Sequence, residues 1–413
     1  MGDARSHNVV RYSVPAEAQK LLSDGILTNA LIMKSLHKEI QEYGTKIKFE
    51  GSEEPSIPVN WRFAESISAL KALEGCMINL LLVRKYGTKP QEIVINTDHA
   101  QLFVMSTLLW TIDPKGEKLS TYHAEQTKYF PSWDIHNQQT TLHRDAVTNI
   151  YKTKDQRYFH LHGRIIGSMN PEPTLDSIGL PHNMEAKTKE DAWKPFMEKI
   201  SQIDSSDMQH RASDTYRQAG TICWTTDEYK QSVHGKANSH VGLFEIHEHP
   251  NPSQSACWWP DSPQTSAKRP LAGLKVVDIT RVIAAPAIGR GLAELGASVM
   301  RVTAPHLVDY SSLHCDLNWG KWNTCLDFRK EEDRSKLKQL ILEADVLITG
   351  YRPGVLEKWG LGKIDIVALC RERGRGIVFA QENCYGWNGP WAGRSGWQQI
   401  SDAVRNRTEP FTE

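Results

Sequence analysis

The sequence carries no excess charge. Its 49 Lys and Arg are balanced by 49 Asp and Glu over 413 residues, so no global field draws it to nucleic acid or to an anionic membrane. A phosphorylated ligand would have to be met by a local basic site. No apolar run approaches the ~18 residues of a membrane span, and no signal peptide is visible. Cysteine is sparse: there are seven, without paired spacing. That argues for reduced thiols in an intracellular compartment, cytoplasmic or organellar. Metal-ligand spacings are lacking too. His160 and His162 alternate on one strand face without a fitting third ligand, and His247, His249 and Cys257 match no standard site. No metal or permanently bound cofactor is expected. Met1-Gly2 with Ser6 fits the short myristoylation pattern, but Asp3 is an acidic neighbour and no polybasic segment follows. A single lipid chain anchors only marginally.

What is present is enough length for two or three domains. Hydrophobic residues at 39% and charged ones at 24% are ordinary for a globular protein. The clearest text begins at Pro270. Lys275 to Thr280 is a short β-branched run bounded by Gly273 and the Ala284-Ala285-Pro286 turn, which predicts a buried parallel strand. A helix follows with Ile288, Leu292 and Leu295 on one face and Gly296 as its stop. Ser298 to Val302 predicts a second strand, Lys336 to Glu343 a helix, and Asp345 to Thr349 a third strand. That strand ends in Gly350-Tyr351-Arg352-Pro353-Gly354, a turn at a strand's C-terminal end, where ligands of doubly wound sheets bind. No G-x-G-x-x-G follows Thr280, which speaks against a nicotinamide-dependent oxidoreductase.

This stretch resembles the family III CoA-transferases (the CaiB/BaiF family, with formyl-CoA transferase and α-methylacyl-CoA racemase among its members). The resemblance rests on PLAGLKVVDITRVIAAP, LAELGASVMRV, Asn318-Trp319-Gly320-Lys321 with Leu326-Asp327, ADVLITGYRPGVLEKWGLG, and Cys384-Tyr385-Gly386 with Gly389-Pro390. Five ordered matches over about 120 residues are far more specific than one short motif. They reach Asp402; the tail RNRTEPFTE does not look like family sequence.

A second, earlier part of the family's text is recognisable before this one. Ala64 to Tyr86 predicts a long helix, with Ile67, Leu70, Leu73, Met77, Leu80 and Leu81 at helical spacing and Gly87 as its stop. Glu92 to Asn96 predicts a strand. Ala64-Glu65-Ser66 stands where the family has its catalytic Gly-Asp, so Glu65 is the matching carboxylate. In a helix's first turn it faces unpaired N–H groups and the positive dipole end, which holds it ionised for attack on a thioester. The same placement is also a common stabilising choice without chemistry. From Asn149, NIYKTKDQRYFHLHG predicts a hairpin with Gln156 in place of the usual turn glycine. Helices are expected ending at Gly179, over Trp193–Asp204 and Met208–Ala219, and over Asp227–Gly235. This matches the family's smaller domain.

The expected architecture is α/β: a Rossmann-like parallel sheet with helices plus a smaller α+β domain, with the pieces in permuted order. Residues 1–54 read as an extension with helices at Ala16–Leu22 and Leu31–Tyr43. Residues 55–140 read as a helix–strand segment of the large domain, with turns at Asp113-Pro114 and Pro131. Residues 141–246 read as the small domain, 247–269 as a Pro/Ser-rich linker, and 270–413 as a nucleotide-binding half that stops early.

The resemblance implies CoA or acyl-CoA as substrate and small carboxylic acids as acceptors, in an interlocked homodimer. CoA contacts fall on Val282, Ile283 and Ala284, with Lys321 and Arg352 as phosphate charges and Gly354 closing the turn. Ala304 stands where the family often has an Arg. Trp397 stands where racemase members place a basic His, so racemase activity is not expected. Two functions remain: CoA transfer through a carboxylate-bound intermediate, or CoA-thioester binding by a truncated or degenerate relative without catalysis.

Overall fold

The computed structural model describes residues 12–57, 62–113, 115–120, 128–130, 136, 141–163, 170–307 and 309–404. The Met1-Gly2 pattern, the turns at Pro114 and Pro131 and the RNRTEPFTE tail lie outside them. The described residues form two compact units. One contains those up to Ser120 with 241–248 and 260–272. The other contains those from Lys128 to His240 with 249–259 and 273–404.

The first unit is built on helix α1, Phe63–Tyr86, which ends at Gly87 with φ +65°. Glycine takes that left-handed conformation without strain. The buried face of α1 is only partly the leucine-rich one expected: Leu73 is buried and Leu80 packs against the same core, but small residues make up most of it. Ala64, Ser68, Ala69, Ala72 and Cys76 are buried, while Leu70 and Met77 are 41% and 44% exposed. Small side chains let neighbouring backbone come close, and a Cβ on Gly75 would sit 3.1 Å from Ile93. Leu22, Ile26, Leu27, Ile40 and Tyr43 complete this core. They lie on a more broken N-terminal chain than expected: helix Val14–Lys20, a wide-pitched turn Leu21–Leu27, and short helices Ala30–Met33 and Glu39–Gly44. Strand Lys48–Glu50 pairs in parallel with Val94–Asn96. By length and composition alone α1 could cross a membrane, with a mean hydropathy of 1.5 over its most apolar window. That corrects the expectation that no run approaches such a length. Glu65 and Asn79 lie on its buried face.

The second unit holds two sheets. The smaller is antiparallel: β1 (Thr148–Lys152), β2 (Tyr158–His162) and β3 (Ala219–Ile222), with β2 in the middle. Gln156 takes the turn's left-handed place at φ +64°. The preceding helices are shifted from expectation, to Lys189–Ile200 and Ser205–Gln209, and the second cannot reach Ala219 because 219–222 is strand. Phe159 and Leu161 of β2 pack with Leu175, Phe196 and Met208.

The larger sheet contains β4 (Lys275–Ile279), β5 (Ser298–Thr303), β6 (Lys321–Cys325), β7 (Val346–Thr349) and β8 (Val378–Gln381). Its order is β6-β5-β4-β7-β8 and every pairing is parallel. Helix α2 (Ala284–Glu294) follows β4, and α3 (Glu331–Glu343) follows β6. Val277, Ile279, Val302, Leu337, Ile341 and Leu347 form its core. Helix α2 also buries small residues, Ala285, Pro286 and Gly289, and leaves Ile288 exposed. A last helix, α4 (Gln398–Val404), packs Ile400 and Val404 with Ala219 of the small sheet. The segment expected as a linker is tied down at both ends. Gln254 donates to the carbonyls of Cys370, Arg373 and Arg375, and Tyr86 donates to the carbonyl of Pro270.

The second face of β2 carries His160 and His162, whose ring nitrogens lie 3.4 Å apart. Burial brings His160 down to about 4. Burial and the neighbouring His160 bring His162 down to about 3. Both are neutral in the fold at pH 7 but accept a proton near pH 6.5 when unfolded. Stability is therefore full above that value and falls as pH drops from about 6.5 toward 4. Thermal melts should show the midpoint falling steeply over that range. The fall should be shallower in H162N; an identical slope in the variant would remove the pair as its cause.

Candidate functional site

In the large sheet the chain winds outward from β4 to β5 and β6 on one side, then returns to β7 and β8 on the other. The winding reverses between β4 and β7, whose last residues Ile279 and Thr349 are paired. The carboxyl ends of two such strands splay their following turns apart, which leaves a crevice. The turn after β4 holds Arg281 to Ala284, and the turn after β7 holds Gly350 to Gly354. The structure thus brings Val282, Ile283, Ala284, Arg352 and Gly354 to one edge of one sheet. The turn after β7 meets the start of α2: a Cβ on Gly350 would lie 2.8 Å from that of Ala285.

Val282 is the strained point of this edge. It is 1% exposed and has φ +70°, a conformation that L residues with a branched Cβ rarely adopt. Its side chain is packed with Leu313 and Leu317, and Ile283 and Trp397 border the same cluster. Ala284 starts α2 and is exposed. Gly354 closes its turn at φ +84° with open space about it.

Charge gathers unevenly. Burial, then the positive charges of Arg217 and Arg281, pull Arg352 below its usual value. The three guanidiniums together form a local positive field on a chain of zero net charge, as an anionic ligand requires. Lys321 behaves otherwise. Its side chain is fully buried, and Nζ donates to Asp278 Oδ2 and to the Pro286 carbonyl, each at 2.8 Å. That ammonium is committed to the interior and does not face the crevice turns.

Other groups complete the edge. Glu382 follows β8, and its Oε2 is 3.6 Å from where a Cβ on Gly350 would stand. Burial pushes its carboxyl above the ordinary range. The loop Tyr385–Pro390 is pinned by His234, which is 1% exposed and stacks on Trp391 at 4.7 Å. The Trp391 N–H donates to His234 Nδ1, so Nε2 carries the proton and donates to the Tyr385 carbonyl at 2.9 Å. Gly389, at φ +83°, lies so close that a Cβ would meet Ala237 at 2.9 Å. Trp397 borders both Val282 and Tyr385.

Glu65 belongs to the first unit. It sits in the first turn of α1, is 2% exposed, and its Oε2 has no hydrogen-bond partner among the described residues. Burying a polar carboxyl oxygen without a partner costs free energy. Among the described residues no three His, Cys, Asp or Glu side chains gather as a metal site.

Residues 271–405 match the model for CoA-transferase family III. The chain is 51% identical over 396 residues to an acetyl-coenzyme A transferase, nodX, of Hypoxylon pulicicidum, covering 95% of this chain and 66% of that one. It is 32% identical over 367 residues to an acyl-CoA transferase of Gibberella moniliformis, covering 87% of this chain and 62% of that one. A crystal structure of a CAIB/BAIF family protein from Brucella suis is 30% identical, with a TM-score of 0.31 over 33% of this chain and 39% of its own. The chain belongs to CoA-transferase family III. It spans just under two thirds of the length of the first two relatives. The match to nodX runs through nearly the whole chain, so the order of helix, small domain and then parallel sheet is shared with that relative.

Four residues near these turns were passed over by the sequence reading: Arg217, Asp309, Glu382 and His234. Arg301, a charge inside the apolar strand Ser298–Thr303, was the visible hint to Asp309, which it meets at 2.6 Å. The other three come from segments far apart in the sequence, and no local spacing connects them.

Removing the Lys321 charge should unfold rather than merely impair. K321A leaves Asp278 buried without its counter-charge, a loss of about 3–5 kcal/mol. G289A should also destabilise, since its Cβ would lie 2.5 Å from Asp278 Oδ2. Urea denaturation reads both, and wild-type stability in either variant contradicts the assignment.

Proposed function

We propose that the chain moves CoA between an acyl-CoA thioester and a small carboxylic acid, with the crevice after β4 and β7 holding the CoA. One observation carries this reading: the family III stretch, 271–405, contains both turns of the crevice. The names of the two relatives, an acetyl-coenzyme A transferase and an acyl-CoA transferase, agree with it. Backbone of the turn 282–284 approaches the pantetheine and phosphates, aided by the start of α2. Arg352, with Arg281 and Arg217 beside it, supplies the positive charge, and Gly354 leaves room at the turn's end. The nucleophile we assign is Glu65.

The chemistry needs no redox partner and no net proton. A Glu65 oxygen attacks the thioester carbonyl carbon, the C–S bond breaks, and CoA leaves as thiolate from a mixed anhydride. The thiolate attacks the glutamyl carbonyl, expelling the first acid as its carboxylate and leaving a glutamyl–CoA thioester. An acceptor carboxylate repeats the sequence in reverse, which frees Glu65 and the new acyl-CoA. Oriented arginines at the phosphates contribute by binding the remote handle and so positioning the thioester. A homodimer and an intracellular setting belong to the same proposal; the seven cysteines are all free thiols. Nothing in the site offers the base that a racemase needs at the position of Trp397.

Hydroxylamine added during turnover converts an acyl- or CoA-bound carboxyl to a hydroxamate. Mass spectrometry should find it on Glu65, and E65A should abolish transfer while CoA still binds. A hydroxamate on Glu382 or Asp402 would move the nucleophile there. CoA binding without adduct or transfer would leave only the non-catalytic reading. R352A should weaken CoA binding roughly tenfold or more, as expected for one charge-assisted contact of about 1.5–3 kcal/mol. Unchanged affinity by calorimetry counts against the crevice.

A further inference from the structure

Asp309 is the hub of a buried polar cluster beside the crevice turn. Its Oδ1 accepts from the Val282 N–H at 3.1 Å and from the Tyr310 N–H at 2.8 Å. Its Oδ2 lies 2.6 Å from Arg301 Nη2 and 3.0 Å from His314 Nε2. The same Nε2 is 2.8 Å from Arg301 Nη2. That imidazole nitrogen therefore serves either the carboxylate or the guanidinium. All three side chains are nearly enclosed, at 18% exposure for Asp309, 9% for Arg301 and 11% for His314. Burial pushes the Asp309 carboxyl up, but His314 and Arg301 with the Tyr310 N–H outweigh it and hold it down at about 2. It is thus a carboxylate at every pH at which the protein would work, and its acceptor oxygen is always available.

What that oxygen holds is unusual. Val282 is the one residue of the turn with a left-handed φ, and it carries a branched side chain that disfavours it. A valine stays there only when its surroundings over-determine the backbone. Two fixings are visible: the side chain buried against Leu313 and Leu317, and the N–H held by Asp309. Asp309 is itself held by the Arg301 guanidinium and lies against the His314 ring, so the hydrogen bond is a rigid prop.

We propose that Asp309 is a positioning residue that holds the turn Val282–Ala284 in its strained, ligand-ready shape. The inference rests on the reading of that turn as the CoA contact. Asp309 touches no substrate; it acts through the backbone of Val282. Its effect therefore falls on binding of the CoA handle and not on the chemical step.

The test is a double-mutant cycle on the full chain, read by calorimetry with CoA and by acyl-CoA kinetics. D309N keeps the shape of the side chain but loses the charge that Arg301 and His314 clamp. It should weaken CoA binding at least tenfold and raise the acyl-CoA KM similarly, with kcat within about twofold. V282G reaches φ +70° without strain, so in that background D309N should cost at most threefold. Melting curves keep the measurements below each variant's transition. Equal D309N penalties in both backgrounds would make the residue merely structural and overturn the proposal. A D309N affinity equal to wild type would overturn it as well. If wild type itself takes up no CoA, the reading of the turn fails and this inference fails with it.

Discussion

One buried ammonium fixes the geometry from which the rest follows. Lys321 on β6 reaches Asp278 on β4 and the Pro286 carbonyl on α2. The turn 280–284 lies between those last two anchors, so the strand end and the helix start cannot drift apart without breaking an ion pair sealed from water. Such a pair contributes little net stability over apolar packing, but it penalises alternative arrangements severely. Asp278 has a further donor in the Thr280 hydroxyl. The room for the pair comes from Gly289, where any side chain would collide with it. A lysine that the sequence suggests for phosphate binding thus serves to tie the end of β4 to the start of α2.

From this anchor the edge of the sheet is layered. The anchored turn carries Val282 in a strained conformation, held by Asp309. The neighbouring turn comes within contact of Ala285 through Gly350 and carries Arg352, whose charge is reinforced by Arg217 from the small-domain segment. The loop Tyr385–Pro390 is held by His234 of that same segment and reaches the turn through Trp397. The small sheet and the parallel sheet form one compact unit, because the second face of β2 and β3 is covered by α4, the last described helix.

Much of this was legible before the structure. The β-branched runs at 275–280, 298–302 and 345–349 are strands, Gly87, Gly179 and Gly296 end helices, and the family's motifs stand in order. That a turn follows each of β4 and β7 was legible from Ala284-Ala285-Pro286 and from Gly350 and Gly354. What misled was helix orientation. In α1 and α2 the large apolar residues Leu70, Met77 and Ile288 are exposed, and the buried faces, though α1 keeps Leu73 and Leu82, are mostly small residues. Hydrophobic periodicity marks a helix, but which face is buried depends on how closely its neighbours approach, and small residues decide that. The role of Lys321 was misjudged for a related reason: its motif spacing was visible, but Asp278, 43 residues earlier, was not identifiable as its partner. Asp309, His234 and Arg217 were illegible because their partners come from distant segments.

The central claim is that the crevice between the turns after β4 and β7 is where the CoA handle is held. Hydrogen–deuterium exchange with and without CoA reads it at the peptide level. The account predicts slowed exchange in peptides covering 281–286 and 350–354, with the core of β1 and β2 unaffected. Exchange unchanged in those two turns, or protection confined to other segments, would contradict it.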